Sequence, residues 1–211
     1  MAYPTIDAPY GLVPVGLIGG RSYSGATRQM RIASNYGTAI GKGDLVRRVS
    51  DGTIERDDST TAFAATGTLG VFMGCQYTDP NTSQLTFNNQ YPGSIVASDI
   101  DAFVVDDPDV VMKVAVCSSG TTMATVARTA IGNNASILSN TLNTTNGRGK
   151  LAVLSSSPAA TLTFPLKIID VVEDTKTSSD AFQEILVIFN APNEQSNIAV
   201  GGHHYRLATG L

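Results

Sequence analysis

The chain has 211 residues, 42% of them hydrophobic and only 15% charged, with a formal net charge of -4 at pH 7. That length can bury a sizeable core in one large or two small domains. The acidic balance (pI ≈ 5.0) argues against a nucleic-acid binder, and nothing in the chain approaches the roughly 18 uninterrupted apolar residues of a membrane-spanning helix.

The first predicted element is an extended arm over residues 1–20, MAYPTIDAPYGLVPVGLIGG. Pro4, Pro9 and Pro14 forbid a continuous helix and remove ladder donors, so the segment reads as extended. Tyr3, Ile6, Tyr10, Leu12, Val13, Val15, Leu17 and Ile18 make it apolar, with Asp7 its only charged side chain. Such an arm cannot close a core alone, so it lies either on its own body or on a neighbouring subunit. It is not expected to be a secretory signal, since it has no basic start and Pro14 and Gly16 interrupt its apolar run.

A β-rich body is expected over residues 21–190, rich in Ser, Thr, Asn and Gly, which suit turns and strands better than helices. Arg21 to Ile32 reads as a polar strand punctuated by Arg28 and Arg31. Leu45 to Val49 and Thr53 to Arg56 flank Asp51-Gly52, a hairpin signal. Ala62 to Ala65 leads to a core strand, Thr68 to Tyr77, in which Gly70 and Gly74 permit a bulge or a close approach. A short strand is expected around Leu85 to Phe87, then Ile95 to Ala97 paired with Ala102 to Val105. Val110 to Cys117 alternates, with Val110, Met112, Val114 and Val116 on one face.

Met123 to Leu138 is the only stretch where a helix is admitted, and Ser139 to Lys150 reads as a long loop. A break between two subdomains is therefore admitted near 118–150. Leu151 to Leu154, Leu162 to Val172 and Glu184 to Phe189 supply three more strands before a polar tail over 191–211. The fold class is all-β: a barrel or sandwich of short antiparallel strands, with an extended N-terminal arm and at most one or two short helices.

The search for catalytic chemistry finds no constellation. His203 and His204 are the only histidines, and as neighbours in a strand they would face opposite sides. No serine sits in a G-x-S-x-G elbow, and Gly41-Lys42-Gly43-Asp44 lacks the spacing of a phosphate loop. The acidic run Asp99, Asp101, Asp106, Asp107 and Asp109 is the best metal candidate, but it lacks an EF-hand's glycine and closing glutamate and reads as solvated turn acids. Cys75 and Cys117 read as small buried hydrophobes, with a disulfide left open by sequence. No enzyme, cofactor or metal is expected. Arg21, Arg28 and Arg31 are candidate polar contacts for an acidic partner surface.

The stretches YGLVPVGLIGGRSYSGATRQMRIASNYGTAIGKGDLVRRVSDGTI, TLGVFMGCQYTD and DIDAFVVDDPDVVMKV resemble the small structural proteins of tailed bacteriophages described as capsid decoration, cement or head-stabilisation proteins. The likeness covers most of residues 9–190. It implies a virion protein on the capsid exterior, assembled in the host cytoplasm. Its implied partners are the major capsid protein and copies of itself, as trimer or dimer, with no nucleic acid and no membrane. A tail or neck component and a receptor- or glycan-binding β module stay open as alternatives. In the cement reading, residues 3–18 are the strap across neighbouring subunits, and deleting residues 2–18 should leave a folded body.

Overall fold

The computed structural model describes residues 7–58, 67–173, 182–190 and His203. Among the described residues the chain is all-β, with a 3₁₀ turn at Arg128–Ala130. The strands are β1 (Val13–Leu17), β2 (Arg21–Ser22), β3 (Arg28–Arg31), β4 (Leu45–Arg48), β5 (Ile54–Arg56), β6 (Thr68–Thr78), β7 (Leu85–Asn88) and β8 (Asp101–Val105). They continue with β9 (Val110–Ser119), β10 (Thr122–Met123), β11 (Asn134–Ala135), β12 (Ile137–Leu138), β13 (Ala152–Leu154), β14 (Leu166–Val172) and β15 (Glu184–Phe189).

These strands form two sheets. The nine-stranded sheet runs β11-β14-β15-β9-β1-β2, with β10 and β13 also on β9 and β12 on β13. The six-stranded sheet runs β3-β8-β6-β4-β5, with β7 also on β6. Pairing is antiparallel except between β13 and β9. The long strands β9 and β6 are the hubs because their apolar runs present side chains to both faces, so each strand is covered nearly throughout.

The first core packs the predicted β9 face, Val110, Met112, Val114 and Val116, against Ile168, Ile185, Val187 and Phe189. The second lies on the six-stranded sheet and joins Met30, Ile32, Val46, Ile54, Phe72 and Val104 with Tyr91 and Ile100. A parallel bridge between Ile32 and Ile54 links the end of β3 to β5 and so curls this sheet around its core. Leu45, Val71 and Val105 of the same sheet reach into the first core, which ties the two together.

Several sequence expectations meet a different outcome. Arg21 to Ile32 is two strands of different sheets, with β2 beside β1 and β3 beside β8. Residues 95–97 form no strand; the Asn35 amide donates to the Ile95 carbonyl (2.7 Å) and holds that stretch on a turn instead. The helix admitted over 123–138 shortens to the single 3₁₀ turn, because β10, β11 and β12 take up its ends. The stretch 118–150, where the sequence admits a break, is hydrogen-bonded within itself and to β5. Asn140 donates to the Gly120 and Lys150 carbonyls (2.9 and 2.8 Å), and Arg56 donates to the Asn140 carbonyl (2.7 Å). Between the 41–44 turn and this loop, the Lys42 amide also donates to the Gly147 carbonyl (2.8 Å) and the Gly149 amide to the Lys42 carbonyl (2.9 Å). The expected strand at 62–65 and nearly all of the tail lie outside the described residues.

Candidate assembly surface

The predicted arm is where the structure departs furthest from the sequence reading. Tyr3, Pro4 and Ile6 lie outside the described residues. From Pro9 onward the segment belongs to its own body. Pro9 is buried, and the Gly11 amide donates to the Leu151 carbonyl (3.2 Å) and the Leu12 amide to the Gly43 carbonyl (2.8 Å). Gly11 has a positive φ of 82°, and a Cβ there would stand 2.8 Å from the Gly43 carbonyl oxygen, so only glycine lets the two backbones approach. That contact directs Leu12 into the first core.

Tyr10 is half-buried, with its hydroxyl donating to Glu184 Oε1 and its ring 5.9 Å from the Lys113 ammonium. Burial first, and then the Glu184 carboxylate, push the Tyr10 hydroxyl far above its ordinary range, so it stays a proton donor. Lys113 completes the group with an ion pair to Glu184 (3.1 Å).

The rest of the arm is β1 itself, and the boundary placed at residue 20 falls inside a hairpin. β1 pairs with β9 on one side and β2 on the other, with Leu17 opposite Arg21 across Gly19-Gly20. Both glycines have positive φ, the conformation a tight hairpin needs. Pro14 and Leu17 are half-buried, whereas Val13, Val15 and Ile18 keep 37%, 47% and 46% of their surface exposed. The bulge between Pro14 and Gly16 is where β1 leaves strict register with β9. Of the described residues of the predicted contact set, these three side chains alone form an apolar exposed group.

The arginines are placed apart from one another. Arg21 sits on exposed β2. On β3, Arg28 pairs with Asp106 (3.1 Å), and Arg31 pairs with Asp101 (3.3 Å) and donates to the Ser98 carbonyl (2.8 Å). Their charge is met within the chain, which weakens the reading of Arg28 and Arg31 as contacts for an acidic partner. The acidic run is distributed by the same pairs. Asp99 accepts from the Thr78 amide and hydroxyl, which hold its carboxyl below the usual range, and Asp107 accepts from the Asp109 amide. No cluster of metal-ligating side chains occurs among the described residues.

Cys75 and Cys117 are both free and buried, on different sheets, and burial pushes their thiols up to about 12 and about 11. His203 is buried edge-on against Phe189 (4.9 Å between ring centres), and His204 lies outside the described residues. No helix of the described residues is long and apolar enough to cross a membrane.

Sequence reasoning passed over a second exposed apolar group. Leu85 and Phe87 of β7 are 59% and 67% exposed. A signal for it was present, since no charged residue occurs between Asn81 and Ser98. Beside Phe87 a hollow of about 370 Å³ is lined by Met73, Gly74, Asn88 and Phe103.

No family model, curated protein or solved structure matches this chain.

Proposed function

We propose that this chain is a structural virion protein that binds the outer surface of a tailed-phage capsid. It would stabilise the lattice by bridging neighbouring major capsid protein subunits. The observation that supports this reading is the edge of the nine-stranded sheet, where β1 holds Val13 and Val15 outward, with Ile18 just beyond, on a rigid, interlocked β body. A strand fixed along one edge by β9 and anchored at its end by β2 presents apolar side chains with little ordering cost on contact, which suits a rigid bridge better than a folding strap does.

Magnitude refines the reading. If each of these three side chains buries about 40 Å² against a capsid subunit, the gross gain is about 1 kcal/mol apiece. That is far too little for tight binding by one copy, so avidity across a lattice of many copies carries the association.

Sedimenting purified protein with expanded capsids that lack it tests the proposal. Saturable binding that raises the capsid's disruption temperature supports cement function. No binding, together with a discrete ring in solution, overturns it in favour of a tail or neck component.

A further inference from the structure

Among the described residues β7 has one free edge, and backbone parity identifies which groups line it. The Asp79 amide donates to the Gln84 carbonyl (2.9 Å), which places Asp79 and Gln84 in a hydrogen-bonded pair. The antiparallel register continues Tyr77↔Thr86 and Cys75↔Asn88, and hydrogen-bonded pairs recur at every second residue. Gln84, Thr86 and Asn88 therefore turn their backbone groups toward β6. Leu85 and Phe87 turn theirs outward, and no strand among the described residues pairs with that edge. The two residues with open backbone groups are thus the two whose apolar side chains are exposed, both on one face.

Edge strands are ordinarily kept from pairing with other chains by charges, prolines or bulges. β7 has no charge and no proline, and its ladder with β6 has no register shift. We infer that β7 pairs antiparallel with β7 of a second copy of this chain, across a two-fold axis through Thr86. That axis sets Leu85 opposite the partner's Phe87 and Phe87 opposite the partner's Leu85. These are the residues with outward amides and carbonyls, so both flanking positions become hydrogen-bonded pairs. Thr86 faces its own copy in the intervening non-hydrogen-bonded position. An axis between two residues would set outward groups against inward ones and lose this match, and an axis through Leu85 or Phe87 would pair only that residue within β7 and carry the other past the end of the partner strand.

Charge agrees with the same occupant. An isologous contact sets each surface against itself, so any net charge on it would repel. The stretch from Asn81 to Ser98 carries none. The paired β7 strands would join the six-stranded sheets of two copies into one continuous sheet, with apolar pairs Leu85–Phe87 on its outer face. The inference rests on the proposal above for its use, since a dimer gives a bridging protein two attachment points. Its test needs no capsid, so its failure is read separately from failure of capsid binding.

The experiment is analytical ultracentrifugation of the full chain over a concentration series, with non-reducing gels of single-cysteine additions. Wild type is expected to dimerise, and Phe87→Lys to weaken the dimer more than about tenfold by setting like charges together while melting at the wild-type temperature. Leu85→Lys is the second variant should Phe87→Lys fold poorly. Thr86→Cys is expected to cross-link to its own copy, because residues opposed across the axis have Cβ atoms about 4.5–5.5 Å apart. Gln84→Cys, two positions from the axis, is expected to stay uncross-linked at a separation of about 13 Å. A monomeric wild type, an oligomer untouched by both lysine variants, or a Thr86→Cys no more cross-linked than Gln84→Cys would each overturn the inference.

Discussion

β1 and β7 are both short, apolar and free of charge, yet the fold treats them in opposite ways. β1 is covered by β9 along one edge and by β2 at Gly16 and Leu17 on the other, and the chain leading into it plants Leu12 in the first core. β7 is covered on one edge, by β6, and leaves Leu85 and Phe87 more exposed than any apolar residue of β1. The difference teaches that composition announces a segment in need of a partner without saying which partner it has. Three prolines and an apolar run marked residues 3–18 as a strap for another subunit, but from Pro9 onward the segment is held by its own body, which buries Pro9 and Leu12. The plain stretch around residue 85 is the one left open.

The sharpest way to break this contrast is to remove β1. Deleting residues 2–18 takes away a strand with neighbours on both sides and the buried Leu12 side chain, and is expected to unfold the protein, reversing the sequence-based expectation. Leu12→Ala alone is expected to cost about 2–5 kcal/mol, read from denaturant unfolding. Phe87→Ala, by contrast, is expected to stay within about 0.5 kcal/mol of wild type, because its ring is mostly in solvent. Equal losses at the two positions would erase the distinction between a captured strand and an open one.

Next in size is the buried ion pair that anchors the turn beneath the N-terminal segment. Asp44 faces Arg56 at 3.2 Å and accepts the Gly41 amide at 2.9 Å, and Arg56 reaches on to Ser139 and Asn140. Burial pushes the Asp44 carboxyl up despite Arg56, which shows how costly that charge is to hold. Arg56→Met strands the carboxylate and is expected to cost about 3–5 kcal/mol. The double variant Asp44→Asn/Arg56→Met is expected to lose less than the summed single effects, by about 1–3 kcal/mol. Strict additivity in thermal unfolding would show that the two side chains act separately.

The all-β class was legible because its signals are local. Alternation marked β9, Asp51-Gly52 marked the β4–β5 hairpin, and the apolar run with spaced glycines marked β6. What escaped depends on contacts distant in sequence. Nothing near Leu12 says that Gly43 and Leu151 will receive its segment, and nothing near Arg28 says that Asp106 will neutralise it. Gly19-Gly20 was a readable hairpin signal, and it would have joined the arm to the body. β7 was read as a strand, but its edge position follows from the order of the sheet, which a single sequence does not display.

A smaller effect bears on the exposed side of β1. Val13→Ser and Val15→Ser replace side chains that are 37% and 47% exposed and are expected to change stability by no more than about 0.5 kcal/mol. In the proposed function the pair nevertheless lowers occupancy on expanded capsids, since each removes a contact repeated in every copy. Full occupancy with both valines replaced would move the capsid-binding face away from β1.

The smallest expected effect separates the two strands by pH. Thr78 ends β6 opposite Leu85 of β7, and its amide and hydroxyl both donate to Asp99. Those bonds hold the folded Asp99 carboxyl below its usual 3.8. A depressed carboxylate contributes stability that is present above the unfolded value and is lost as pH falls through the lower folded value. Acidification should therefore loosen this end of β6, and β7 with it, before it reaches β1. In hydrogen exchange, the Thr86 amide is expected to lose protection below the usual carboxylate range while amides of β1 bonded to β9 keep theirs. Thr78→Val should bring the Asp99 titration back toward 3.8 and make the Thr86 amide exchange faster at neutral pH. Loss of protection in β1 and β7 together at the same pH would mean that the two strands open as one cooperative unit, and that the difference between them is confined to their edges.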